Sequence, residues 1–168
     1  MHGVWPANKN GDQVTDCGQA QPFDGEKILD LQFELNLYWP NFKRGGNDYF
    51  WEYEWYKHGS CSAEDYDLHS YFELGLIIFQ HKKAHIVLKR LGYEVDLYKK
   101  NDRENLAHDI RVETGGRPQL ICRRGDYYEE LQEIRFCIDK NDLINNQKIT
   151  YIDCVGGHGC GDSIYWLP

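Results

Sequence analysis

Two histidines, a glutamate and a lysine are the residues with the chemistry to act together. His2 opens the segment His2-Gly3-Val4-Trp5-Pro6, and Glu54, Lys57 and His58 lie in the aromatic-rich segment from Phe50 to Cys61. An imidazole, with an unperturbed pKa of about 6.5, can take up or deliver a proton near neutrality. A lysine beside it can stabilise negative charge that builds up in a transition state. Such a set suits a reaction in which one proton is removed, another is delivered, and charge accumulates on oxygen. Phosphodiester transesterification at a ribose is one such reaction. Its nucleophile belongs to the substrate, so it calls for neither metal nor cofactor. The competing reading is structural, an aromatic helix with a charged outer face.

These groups need elements to position them. Trp51, Glu54, Trp55 and His58 recur at i, i+3, i+4 and i+7, so a helix from Phe50 to His58 puts them on one face, with Gly59 to stop it. Ile28, Leu31, Leu35 and Tyr38 recur at helical spacing and predict a helix from Glu26 to Trp39, ended before Pro40. A long helix is expected from Leu68 to Leu91, ended by Gly92, and a short one from Glu104 to Ile110. Residues 7–25 are polar and turn-rich. Beyond Gly115-Gly116 the runs Gln119–Cys122, Leu131–Ile138 and Lys148–Cys154 are short and β-prone. The expected class is α+β, with helices packed on a mainly antiparallel sheet in a single domain over residues 1–168. His2 has to arrive at the helix from elsewhere in the fold.

Composition narrows the partners. The formal net charge of −8 lacks the basic footprint of a protein that grips duplex nucleic acid by its backbone. Any RNA contact must be local, made by aromatics and a few cations. No apolar run is long enough to span a membrane, and no signal peptide or obligate protein partner is evident; a monomer is expected. Six separated cysteines without a CxxC pair suggest three disulfides and an oxidising compartment, the alternative being buried free thiols.

Both segments resemble the two active-site segments of the ribonuclease T2 family, which includes plant S-like and self-incompatibility ribonucleases. His2-Gly3-Val4-Trp5-Pro6 matches the family's His-Gly-Leu-Trp-Pro. Phe50-Trp51, Glu54-Trp55, Lys57-His58-Gly59 and Cys61 match its second segment at the same spacing, with Ser60 for threonine. The resemblance implies a ribonuclease T2-like fold and the pairings Cys17–Cys61, Cys122–Cys160 and Cys137–Cys154. It implies His58 as general base on the 2′-OH and His2 as general acid to the leaving oxygen. Glu54 and Lys57 would stabilise the phosphorane, while Trp5, Phe50 and Tyr53 would line the substrate cleft. It further implies cleavage of single-stranded RNA through a 2′,3′-cyclic phosphate, low base specificity, and secretion or a vacuolar or lysosomal location.

Two departures qualify this expectation. Tyr53 replaces the family's other histidine; a phenol donates one hydrogen bond but carries no positive charge in acid. The family's upstream strand and substrate-contacting glutamine do not precede His2, so the sequence reads as truncated. A catalytically impaired storage or defence protein is therefore a rival expectation. A self-incompatibility determinant ranks lower, because those proteins are usually basic. A zinc hydrolase is the alternative from first principles. His81 and His85 stand at i, i+4, but no glutamate follows His81, so the HExxH pattern fails and a solvated face is expected. His158 sits in a glycine-rich turn with no phosphate-loop Lys-Ser/Thr after it. Lys82-Lys83 and Arg123-Arg124 read as solvated charge. Without the upstream strand, unpaired backbone edges should weaken the chain. It should then unfold over a broad temperature range; a sharp, cooperative thermal transition by circular dichroism would refute that.

Overall fold

The computed structural model describes the chain apart from Gln19, Lys82, Lys83, Asp126, Tyr127, Gln147, Gly157, His158 and Pro168, and apart from the side chains of Asn145 and Asn146. The expectations for Lys82-Lys83 and His158 lie outside the described residues. The chain groups into two compact units, Met1–His81 and Lys82–Pro168.

The first unit is helical. After the loop of residues 7–25, a 3-10 segment (Gly25–Leu31) leads into helix α1 (Gln32–Tyr38). The sequence predicts one α-helix here. The chain instead winds tightly first, with the Asp24 side chain capping the N–H of Glu26 and Ile28 leaving helical geometry at φ −122°. The apolar spacing still buries Ile28, Leu31 and Leu35 on one side. Helix α2 spans Asn47–Lys57, starting earlier than Phe50 because extended Gly46 precedes it and Asp48 supplies an acid to the positive end. Helix α3 (Leu68–His81) and helix α4 (Ala84–Arg90) fall within the predicted span Leu68–Leu91, with residues 82–83 outside the described residues. Gly92, at φ +79°, follows α4 in the left-handed region, as expected of a helix stop. The core of the first unit is Ile28, Leu31, Leu35, Trp39, Trp51, Trp55, Leu68, Tyr71, Phe72 and Leu76.

The second unit adds the sheet. Strands β1 (Lys100–Asp102), β2 (Gln119–Arg124), β3 (Glu129–Arg135) and β6 (Ser163–Tyr165) form one sheet in the order β1-β6-β3-β2. Two pairings are antiparallel and β3–β6 is parallel, so the sheet is mixed and mainly antiparallel. Strands β4 (Cys137–Ile138) and β5 (Tyr151–Ile152) pair separately. The predicted strand Leu131–Ile138 is thus divided between β3 and β4, and Lys148–Cys154 contracts to β5. Helix α5 (Arg103–Thr114) is longer than expected; Asp102 caps its start and left-handed Gly115 (φ 96°) its end. Strands β1 and β6 and helix α6 (Lys140–Asn146) went unpredicted. A three-residue strand shows no usable periodicity. Leu106, Ala107 and Ile110 of α5 pack on Leu120, Leu131 and Ile164 of the sheet, with Val87 and Leu88 of α4. The outer edge of β2 is partly paired, since Gly159 exchanges hydrogen bonds with Leu120 and Cys122.

All six cysteines pair as the resemblance implies: Cys17–Cys61 in the first unit, Cys122–Cys160 and Cys137–Cys154 in the second.

Candidate active site

The segment carrying His2 has no regular secondary structure, so its carbonyls need donors from elsewhere. Trp39 Nε1 donates to the His2 carbonyl at 2.6 Å, and Tyr71 Oη donates to that of Val4 at 2.8 Å. Burial pushes the Tyr71 phenol well above its usual range, so it stays a protonated donor. The Pro6 carbonyl accepts from Val14 N at 2.9 Å. Three fixed carbonyls thus give an irregular segment a defined path. Sequence reasoning missed Trp39 and Tyr71, and no local pattern ties either residue to a segment so far away in the chain.

Helix α2 presents the other groups. Trp51, Glu54 and Trp55 are buried on its inner face, as their spacing predicts. Trp51 Nε1 donates to the Trp39 carbonyl at 2.9 Å and Trp55 Nε1 to that of Gln21 at 2.8 Å. His58 is the C-cap, its N–H bonded to the Glu54 carbonyl at 2.9 Å. Gly59 opens a short 3-10 turn, Gly59–Ser62. A Cβ on Gly59 would lie 2.3 Å from the Trp55 ring, so close approach rather than a left-handed turn requires glycine there. Just beyond, Cys61 is tied to Cys17, Cys17 N donates to Ser60 Oγ at 3.2 Å, and Asp16 N donates to the Lys57 carbonyl at 2.9 Å. The loop before α1 is thereby pinned to the end of α2.

The two segments meet through Trp5. Its indole Nε1 donates to Glu54 Oε2 at 3.0 Å. A Cβ on Gly3 would stand 2.3 Å from both of those atoms, so only glycine leaves room for the bond. The Trp5 ring contacts His2 edge-on at 4.7 Å between centroids and tilts against the His58 ring at 5.3 Å. Phe50 lies nearly parallel to the His2 ring at 6.4 Å. One indole therefore touches both imidazoles.

The two histidines sit in unlike surroundings. His2 is exposed, whereas His58 is only 3% exposed and, among the described residues, its Nδ1 is buried without a hydrogen-bond partner. Burial first, then the positive charges of Lys57 and His2, push the His58 pKa down to about 4, against a smaller upward pull from Asp16. Lys57 moves the other way: its Nζ donates to Tyr53 Oη at 2.9 Å and stands 5.2 Å from that ring's centre, and this bond holds the ammonium pKa above its ordinary value. All seven predicted site residues lie in the first unit. His2, Trp5, Phe50, Glu54 and His58 form one contiguous group. Tyr53 and Lys57 form a pair on the more exposed side of α2, coupled to His58 by charge. Among the described residues, no three His, Cys, Asp or Glu side chains converge as metal ligands would.

Comparison with known proteins identifies the family. The Ribonuclease T2 family model matches residues 1–154. The chain belongs to the ribonuclease T2 family. It is 32% identical to Ribonuclease 1 of Arabidopsis thaliana, covering 84% of this chain and 62% of that protein's length. It is 32% identical to Ribonuclease 3 of the same plant, covering 100% of this chain and 74% of the relative. Among solved structures, ribonuclease MC1 from bitter gourd seeds superposes with a TM-score of 0.87 at 29% identity, covering 98% of this chain and 83% of that one. Human RNase T2 superposes at 0.83 with 26% identity, covering 99% and 83%. A variant of RNase MC1 has been solved in complex with 5′-GMP.

The depressed basicity of His58 has a measurable sign. Between about pH 4 and the unfolded value near 6.5, the unfolded chain binds the extra proton. Stability therefore rises with pH across that window and is lost as pH falls through it. In an NMR titration the His58 ring should titrate near 4, and removing a neighbouring charge (Lys57→Met) should raise that value. A midpoint at the free-imidazole value, unmoved by the substitution, would refute this account of the site.

Proposed function

We propose that this chain is an endoribonuclease that cuts single-stranded RNA by transesterification, with His58 as base and His2 as acid. The observation that carries the reading is the pair of unlike imidazoles on one indole, one buried and poorly basic, the other exposed. With Nδ1 buried, Nε2 of His58 is the nitrogen left to take the 2′-OH proton. Its lowered pKa keeps it unprotonated in mild acid, where a free imidazole would be largely charged. The 2′-oxygen then attacks phosphorus, His2 delivers a proton to the departing 5′-oxygen, and a 2′,3′-cyclic phosphate results. Water later opens the ring with the two roles exchanged. Lys57 supports the negative charge on the phosphorane oxygens. Glu54, buried against Trp5 and Gly3, belongs to the same group and fixes the indole beside both rings. Trp5 and Phe50 offer ring faces to the substrate, consistent with low base specificity. The three disulfides support a secreted or vacuolar setting.

Tyr53 favours a second reading, a relative with impaired catalysis that serves as a storage or defence protein. Where the family pattern has a histidine, this chain offers a phenol that already accepts a hydrogen bond from Lys57. A neutral donor holds a phosphate less strongly than a cationic one. Reduced turnover, not abolition, is the expected consequence.

Incubation with a short single-stranded RNA at about pH 5, with EDTA present, should yield cyclic-phosphate ends detectable by mass. His58→Ala should abolish them. Failure of the folded wild-type chain to cut would leave the impaired relative as the better reading. In the active chain, Tyr53→His should raise kcat/KM by about fivefold to tenfold; no change would show that the phenol serves equally well.

A further inference from the structure

At one end of the sheet in the second unit, four strand ends converge. Lys100 begins β1, Tyr165 ends β6, Arg124 ends β2 and Glu129 begins β3. The register makes this a built arrangement: Lys100 pairs with Tyr165 and Arg124 with Glu129. With Gly125, Tyr128 and Ser163 they line an open cleft of about 370 Å³, within the range of small-ligand sites.

Elsewhere in the second unit, arginines are committed to carboxylates: Arg123 to Glu130, Arg103 to Glu104 and Asp162, Arg117 to Glu104, Arg111 to Asp153, Arg135 to Glu133. Lys100 and Arg124 have no ion-pair partner among the described residues, although the chain carries a net charge of −8. Two cations without an ion pair among the described residues, beside the single carboxylate of Glu129, favour an anionic occupant. Between them, Tyr128 and Tyr165 meet edge to face at 5.9 Å, and Tyr128 is exposed. A ring open to solvent beside a cation is a stacking platform for a base. Glu129 is held by the N–H of Gly161, which fixes its carboxylate beside the cleft as an acceptor for an amino or hydroxyl group. An amine donor, an aromatic face and a phosphate together describe a nucleotide.

We propose that this cleft is an accessory site for single-stranded RNA, seating one nucleotide with its base against the tyrosine pair and its phosphate between Lys100 and Arg124. The choice of RNA as occupant rests on the ribonuclease reading of the first unit. The site supplies affinity for longer strands and takes no part in bond cleavage.

The test uses a fluorescein-labelled 2′-O-methyl oligonucleotide, which lacks the attacking hydroxyl and stays intact. Its dissociation constant is measured by anisotropy over a range of salt, on the full chain and on Lys100→Ala/Arg124→Ala. These exposed side chains can be removed with the fold intact, which circular dichroism checks. The double variant should bind about tenfold more weakly, and its salt dependence should fall by about 0.7 for each lost phosphate contact. Tyr165→Leu should weaken binding by about fivefold or more. Cleavage of a dinucleoside monophosphate should keep its wild-type kcat/KM in the double variant. Unchanged affinity and salt slope in the double variant would overturn the proposal, as would an equal fall in dinucleotide cleavage. If the wild-type chain cuts no RNA, the ribonuclease reading fails, and the oligonucleotide affinities still decide the cleft.

Discussion

A buried indole must find an acceptor for its one N–H, and that constraint organises the first unit. Trp39 donates to the His2 carbonyl, Trp51 to the Trp39 carbonyl, Trp55 to the Gln21 carbonyl and Trp5 to Glu54. Each bond adds only about 1 kcal/mol net, but leaving such a donor buried and unpaired would cost about 1–3 kcal/mol. The apolar burial of these rings is non-directional; the N–H groups give it direction. They thread an irregular N-terminal segment against α2 and place His2, Trp5 and His58 together. The glycines at 3 and 59 follow from the same packing, since each lies where an indole leaves no room for a Cβ.

Burial also sets the electrostatics. His58 is the C-cap of α2, on the side that packs inward, so its protonated form is desolvated and disfavoured. Lys57, the preceding residue, points to the wetter side and adds positive charge nearby. The helix end thus separates two groups that are adjacent in sequence, an imidazole kept neutral and an ammonium kept charged. Asp16 joins this group through the loop that Cys17–Cys61 ties to the helix end. The disulfide therefore bears on the site as well as on the unfolded state.

Tyr53 shows how one residue type can alter a site without displacing it. Its hydroxyl accepts from Lys57, and its ring lies near the ammonium. A histidine there would bring a second cation close to Lys57 in acid. The phenol instead shares the lysine, so the positive charge on this side of α2 is smaller and its direction more fixed.

The helices of the first unit, the inward face of α2 and the cysteine framework were legible in the sequence, because helical spacing and a long local motif report on neighbours close along the chain. Residue types able to move a proton, at a set spacing, were equally legible. The kink at Ile28, the strands β1 and β6 and the division of residues 131–138 were not. Short strands are fixed by partners distant in sequence, and a turn's winding by which side chains must be buried. Sequence by itself therefore determined which chemistry this chain can offer. Tertiary structure decided which histidine is buried and weakly basic, which indole joins them and which cations are left unpaired, because burial and distance depend on what the rest of the chain packs against each group.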